Sequence, residues 1–162
     1  MNNNDIAQLI NYTIFTKAIE SDDELGIILR IHLLLERSLI IFIQNKLNIE
    51  DIPKSLYMFG MKIEKAEELG FRTDLIEAIK TINTIRNNLV HIKNNQFYED
   101  ITQDDMNLLV TNVDLIEEIK NTGGIIKRKI KYATKYSGKE INFGECKSTD
   151  LSILCGSIIH YV

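Results

Sequence analysis

The sequence predicts an all-α protein, a bundle of amphipathic helices followed by a less regular C-terminal part. Three observations support this fold class. Apolar residues recur at intervals of three and four over most of residues 5–120. Capping residues and glycines mark the ends of these segments. The 162 residues are 44% hydrophobic and 26% charged, which is ordinary for a globular domain with its own core.

The first two predicted helices cover residues 5–20 and 25–47. Asp5 serves as the N-cap of the first, which carries one apolar stripe. Residues 21–24 are capping and acidic residues, which indicate the start of the second helix. The second helix is apolar on nearly all sides, so most of its surface must be buried. Because a monomeric bundle covers only part of such a helix, we expect a homodimer.

A loop, a short helix and a longer helix follow. The only proline, Pro53, lies in the loop at residues 48–58. The short helix covers residues 59–69 and ends with Gly70 at C′. Thr73 then caps the longer helix, which runs through residues 79–91 to the neighbourhood of Asn94.

The last bundle helix and the C-terminal part are less regular. Thr102 and Asp105 resemble a capping box, which opens a helix that Gly123-Gly124 ends. Residues 1–122 form the predicted bundle and residues 123–162 a separate basic extension. Within it, residues 125–136 fit either an edge strand or the start of a helix, and Thr149-Asp150 caps a final helix over residues 151–161.

Charge is distributed unevenly along the chain. The net charge of −4 combines a balance of −8 in residues 1–123 with +4 in residues 124–162. The basic residues nearest the start of the extension are Lys127, Arg128, Lys129 and Lys131. This cluster either attracts phosphate, as in RNA binding, or is a solvated charged face. Contacts to phosphate alone would carry no sequence specificity.

Several classes of function lack their sequence signatures. The three histidines and two cysteines show no zinc-ligand spacing, and no glycine-rich phosphate loop or hydrolase elbow is present. We therefore expect no metal and no cofactor. Residues 65–79 fit a helix-turn-helix, but the acidic start of its second helix disfavours DNA contact. Without a membrane-spanning run, a signal peptide or a disulfide framework, a cytoplasmic location is expected.

Polar residues interrupt the apolar pattern of the third long helix. Asn83, Asn87 and His91 form a stripe at i, i+4 spacing. The long stem of Arg86 can bring its guanidinium round to that stripe, so that three different polar groups meet. Alternatively, the helix simply ends here, and His91 and Lys93 complement the negative end of its dipole.

Two ionisable residues stand at i, i+4 on the apolar second helix. Burying His32 and Glu36 is costly unless each finds a partner. Glu36 either pairs with Arg30, Arg37 or Arg86 to orient the helices, or both residues help to position Arg86.

Residues 86–91, Arg-Asn-Asn-Leu-Val-His, resemble the Arg-polar-x3-His motif of HEPN domains, small all-α bundles of prokaryotic toxins and anti-phage systems. Residues 59–66, Phe-Gly-Met-Lys-Ile-Glu-Lys-Ala, followed by Leu69-Gly70, are similar to the mannitol operon repressor-like branch of that superfamily. The preceding helix, with His-Leu-Leu-Leu-Glu at residues 32–36, fits the same branch. The resemblance covers residues 25–120 and implies an antiparallel HEPN-like bundle.

The resemblance implies a metal-independent endoribonuclease whose two motifs face each other in a homodimer. His91 would be the general base, Arg86 would bind the scissile phosphate, and Asn87 would hold substrate or orient His91. RNA is then the substrate, and an antitoxin protein is a possible partner. The alternative is a non-catalytic regulatory or interaction module, since the repressor-like branch is named for gene control.

Overall fold

The computed structural model of the protein describes residues 23–90, 100–131 and 140–162, except for the side chains of Ile130 and Lys131. Its elements are α1 (Glu24–Leu47), α2 (Phe59–Glu68), α3 (Thr73–Val90), α4 (Gln103–Val113), α5 (Glu117–Asn121), β1 (Lys129–Lys131), β2 (Glu140–Asn142) and α6 (Lys147–Tyr161). Single 3-10 turns occupy Lys54–Leu56 and Ile125–Lys127. The all-α class is confirmed. In the described part of the chain the two strands form one short antiparallel ribbon, with Ile130 opposite Ile141.

The longest helix, α1, stands at the centre of the core. It contacts α2, α3 and α6, and Ile27, Ile31, Leu35 and Leu39 are completely buried in it. The apolar character predicted for residues 25–47 is explained by these three neighbours. The helix predicted for residues 5–20 lies outside the described residues. No helix that the structure describes is both long and apolar enough to cross a membrane.

The turn between α2 and α3 has the predicted glycine cap. Gly70 has φ +82°, and its amide donates to Glu67 O at 3.0 Å. The next amide, of Phe71, donates to Ala66 O at 2.9 Å. This pair of bonds is a Schellman motif, which satisfies carbonyls that the end of α2 would leave free. The Phe71 ring then packs edge-on against Phe42 of α1, with ring centroids 4.8 Å apart.

The predicted capping box of α4 is confirmed, but the end of that helix is not where the sequence predicts it. Thr102 accepts from the Asp105 amide and donates its own amide to the Asp105 carboxylate. α4 then ends at Val113, well before Gly123-Gly124. The reason is a contact made by the next residue, Asp114. Its carboxylate accepts a hydrogen bond from the Ile125 amide at 2.6 Å, which holds the end of the Gly123-Gly124 turn beside the end of α4.

The final helix begins at Lys147, four residues before the predicted start. Cys146 occupies the N-cap position, and Thr149, predicted as a cap, is buried inside the first turn. Leu154 and Ile158 of α6 are completely buried in the same hydrophobic core as α1. The final helix is therefore part of the bundle, and the predicted boundary at residue 122 does not separate it from the core.

Candidate functional site

Side chains from three helices meet in a polar cluster between α1, α2 and α3. Each member is charged or can form hydrogen bonds, and each interacts with at least one other member. The polar cluster consists of His32, Glu36, Lys62, Asn83, Arg86 and Asn87.

The helical repeat explains why the cluster forms. His32 and Glu36 are four residues apart on α1, and Asn83 and Asn87 are four residues apart on α3, so each pair lies on one face of its helix. α1 and α3 contact each other directly. The two polar stripes therefore meet within an otherwise apolar interface.

The Arg86 side chain is the centre of the predicted motif. Its Nη1 donates to the side-chain oxygen of Asn87 at 2.9 Å. Its Nε is sealed from solvent and has no hydrogen-bond partner among the described residues. No described carboxylate forms an ion pair with Arg86, because Glu36 pairs with Lys62 instead. The structure thus brings Arg86 and Asn87 together and leaves the arginine charge without a counter-ion among the described residues, whereas His91 lies outside them.

His32 is buried beside this arginine. Only 7% of the residue is exposed, and its ring packs against Phe59 with a centroid distance of 4.1 Å and a tilt of 45° between the ring planes. Burial and then the charge of Arg86 lower the pKa of His32, while Glu36 and a hydrogen bond with Asn83 act in the opposite direction. The imidazole is therefore neutral at pH 7.

Glu36 pairs with a lysine of α2, and not with one of the three arginines that the sequence suggested. Lys62 Nζ lies 2.8 Å from the Glu36 carboxylate and also donates to the backbone oxygen of Tyr57. Sequence reasoning missed Lys62, although its signal is visible. This lysine occupies the inward face of α2, between Phe59 and Ile63, where only an acidic partner makes it tolerable.

No family model, curated protein or solved structure matches the chain. The chemistry of the polar cluster therefore carries the functional argument. Within the described part of the chain, no three His, Cys, Asp or Glu side chains are grouped so that they would hold a metal ion.

The basic residues predicted for RNA binding are mostly engaged within the chain. Lys129 forms an ion pair with Glu140 at 2.6 Å. Arg128 donates to the Tyr161 hydroxyl at 3.1 Å. Lys127 is exposed, and the side chain of Lys131 lies outside the description. The Glu140 carboxylate offsets the charge of Lys129, whereas Arg128, which is bonded to a neutral hydroxyl, and the exposed Lys127 keep their full charge towards a phosphate backbone.

Proposed function

We propose that the protein is a metal-independent endoribonuclease of the HEPN type, acting as a dimer in a toxin or anti-phage role. The supporting observation is the state of Arg86. A half-buried guanidinium is unfavourable in the free protein when, among the described residues, it has one hydrogen bond, to Asn87, and no carboxylate partner. A bound phosphate would supply both the missing charge and the missing acceptors.

The proposed reaction needs one base and one anion site. His91, five residues after Arg86, takes the proton from a ribose 2′-hydroxyl. The 2′-oxygen attacks the phosphorus, the 5′-oxygen leaves and takes up a proton, and the products are a 2′,3′-cyclic phosphate and a 5′-hydroxyl. Arg86 binds the phosphate oxygens on which charge develops, and Asn87 holds the guanidinium edge.

Exposed apolar side chains support the dimer. Leu33, Met58 and Val90 are all exposed. In sequence they lie close to members of the polar cluster, since Leu33 follows His32, Met58 is one turn before Lys62 and Val90 is one turn after Arg86. Apolar residues of this kind around a polar site are typical of a surface that a second copy covers.

The decisive experiment is cleavage of a tRNA pool by the purified protein in EDTA. Wild type should leave 2′,3′-cyclic phosphate ends. Arg86→Ala and His91→Ala should each reduce the rate about 100-fold or more, the usual contribution of such groups. Asn87→Ala should give a smaller loss. Lys120→Ala, a change at an exposed cation outside the polar cluster, should leave the rate unchanged.

The oligomeric state is tested by sedimentation at micromolar concentration. Met58→Glu should shift the protein towards monomer, whereas Ile126→Glu, at a similarly exposed residue that does not flank the cluster, should not. A folded, dimeric wild type that cleaves no RNA would overturn the nuclease proposal and favour a regulatory interaction module. A strictly monomeric wild type would overturn the dimer.

A further inference from the structure

Two nitrogens in the polar cluster are sealed from solvent and have no hydrogen-bond partner within the part of the chain that the structure describes. They are Nε2 of His32 on α1 and Nε of Arg86 on α3. More than nine-tenths of buried polar groups in proteins are paired, so two orphans on facing helices call for an explanation. The Nε–H of arginine is always a donor, whereas a histidine nitrogen is a donor or an acceptor according to its tautomer.

The donor on Arg86 defines which tautomer of His32 would complement it. Asn83 forms a side-chain hydrogen bond with the His32 ring. Because Nε2 has no partner among the described residues, Nδ1 is the nitrogen that makes this bond. The Asn83 side chain offers both an acceptor oxygen and an NH2 donor, and the tautomer that complements the Arg86 Nε–H is the one in which Nδ1–H donates to that oxygen and Nε2 is an acceptor.

We infer that His32 is a positioning residue for Arg86, with Nε2 of the neutral imidazole accepting a hydrogen bond from the Arg86 Nε–H when an anion occupies the arginine. The anion is the RNA phosphate, so this inference rests on the proposed function. Arg86 would then be held at two edges, by Asn87 at Nη1 and by His32 at Nε. Nη2 remains for a phosphate oxygen.

The same geometry makes the site sensitive to protonation. A proton on Nε2 removes the acceptor and places a second cation beside Arg86 in a buried region. The charged groups that face His32 are Glu36 from α1, Lys62 from α2 and Arg86 from α3. Glu36 is already paired with Lys62, so the pair is neutral overall and leaves the added charge uncompensated. Acid would therefore release Arg86 from its productive position.

The first test is nitrogen-15 NMR of the histidine side chains in the full chain. His32→Gln assigns the signal. In wild type, Nε2 should be unprotonated and Nδ1 protonated near pH 7. The pKa of the ring should lie below the ordinary value for histidine. Arg86→Gln should raise the pKa of His32, whereas Arg37→Gln, which removes the same charge from an exposed position, should not. A proton found on Nε2 in the neutral ring, or equal responses to the two variants, would overturn the inference.

The second test uses activity. The amide of His32→Gln occupies roughly the place of Nε2, whereas the amide of His32→Asn occupies that of Nδ1. His32→Asn should lower kcat about tenfold, the size of one hydrogen bond to a charged group, and His32→Gln should restore most of the loss. Below pH 6 the wild-type kcat should fall because two groups, His91 and His32, take up protons. The kcat of His32→Gln should fall with the uptake of one proton, by His91. The positioning role would be overturned if His32→Asn and His32→Gln lost kcat equally and if wild type and His32→Gln showed the same pH dependence of kcat.

The two proposals fail in different ways. If His32 has the expected tautomer and responds to Arg86→Gln, but no RNA is cleaved, the His32–Arg86 pair stands and the nuclease is wrong. If RNA is cleaved in an Arg86-dependent manner while NMR shows that the pKa of His32 does not respond to Arg86→Gln, the nuclease stands and the positioning role is wrong.

Discussion

Lys62 and Glu36 form an ion pair whose two members are unequally buried. The lysine side chain is 3% exposed and the glutamate side chain 27%. Removing the carboxylate leaves a buried ammonium with one backbone acceptor, whereas removing the ammonium leaves a carboxylate that water still reaches. The cost of breaking the pair should therefore depend on which partner is removed.

We expect Glu36→Gln to lower the free energy of unfolding by about 3 kcal/mol and Lys62→Met to lower it by clearly less. Urea denaturation at pH 7 measures both. The combined variant Glu36→Gln and Lys62→Met is the control, because it leaves no buried charge unpaired. It should be more stable than Glu36→Gln alone, and a combined loss equal to the sum of the two would contradict this account.

The left-handed cap of α2 gives a second prediction. Gly70→Ala places a Cβ at φ +82° and should cost about 1 kcal/mol in thermal or urea unfolding. Gly60 is the matched position, because it lies inside α2, the helix that Gly70 caps, and an added Cβ at either glycine meets nothing within 4 Å. Gly60→Ala should stabilise the protein by roughly 0.5 kcal/mol. Equal effects of the two substitutions would show that backbone conformation at Gly70 is not what matters.

Acid stability should depend on Arg72. This guanidinium donates to both Asp74 and Glu118, and these bonds lower the pKa of each carboxyl. A carboxyl whose pKa is lowered by folding binds fewer protons in the folded state. Its stabilising contribution is complete above the unfolded pKa of about 4 and is lost as the pH falls through the lowered value.

The free energy of unfolding should accordingly fall more steeply between pH 5 and pH 3 in wild type than in Arg72→Gln. Urea titrations at several pH values measure the slopes. Arg37→Gln removes an exposed arginine and should retain the wild-type slope. Parallel slopes for wild type and Arg72→Gln would refute the assignment.

The two cysteines should differ sharply in reactivity. Cys146 is exposed, and the Ser148 hydroxyl together with the Thr149 amide lowers the pKa of its thiol. Cys155 is buried, and burial raises the pKa of its thiol. A disulfide-exchange reagent should modify one thiol in the native protein, with a rate midpoint at a lower pH than that of an ordinary cysteine thiol, and Cys146→Ser should abolish the reaction. Two thiols reacting at similar rates would contradict the burial of Cys155.

Local signals made much of the fold predictable. The apolar residues around α1, the glycine after α2 and the capping box of α4 act within a few residues of where they stand in the sequence. The break after Val113 was not predictable in this way, because it depends on Asp114 accepting a hydrogen bond from the Ile125 amide. No pattern within residues 102–122 contains that contact.

The polar cluster was also predictable only in part. The i, i+4 pairs on α1 and α3 indicated which faces carry polar groups, and the structure places both faces together. The choice of Lys62 over an arginine as partner of Glu36 depends on where α2 packs, which is a tertiary property. The role of His91 stays a prediction, since it lies outside the described residues.

The contact between α1 and α6 has a consequence for the order of folding. Helices α2 and α3 are joined by a short turn, so they can pair rapidly, whereas α6 reaches α1 only after the whole chain between them has been brought together. Such late contacts are expected to be absent from the rate-limiting transition state. Leu154→Ala should therefore accelerate unfolding more than it slows refolding in stopped-flow experiments. The kinetic lifetime of the native protein would then be set by its last helix.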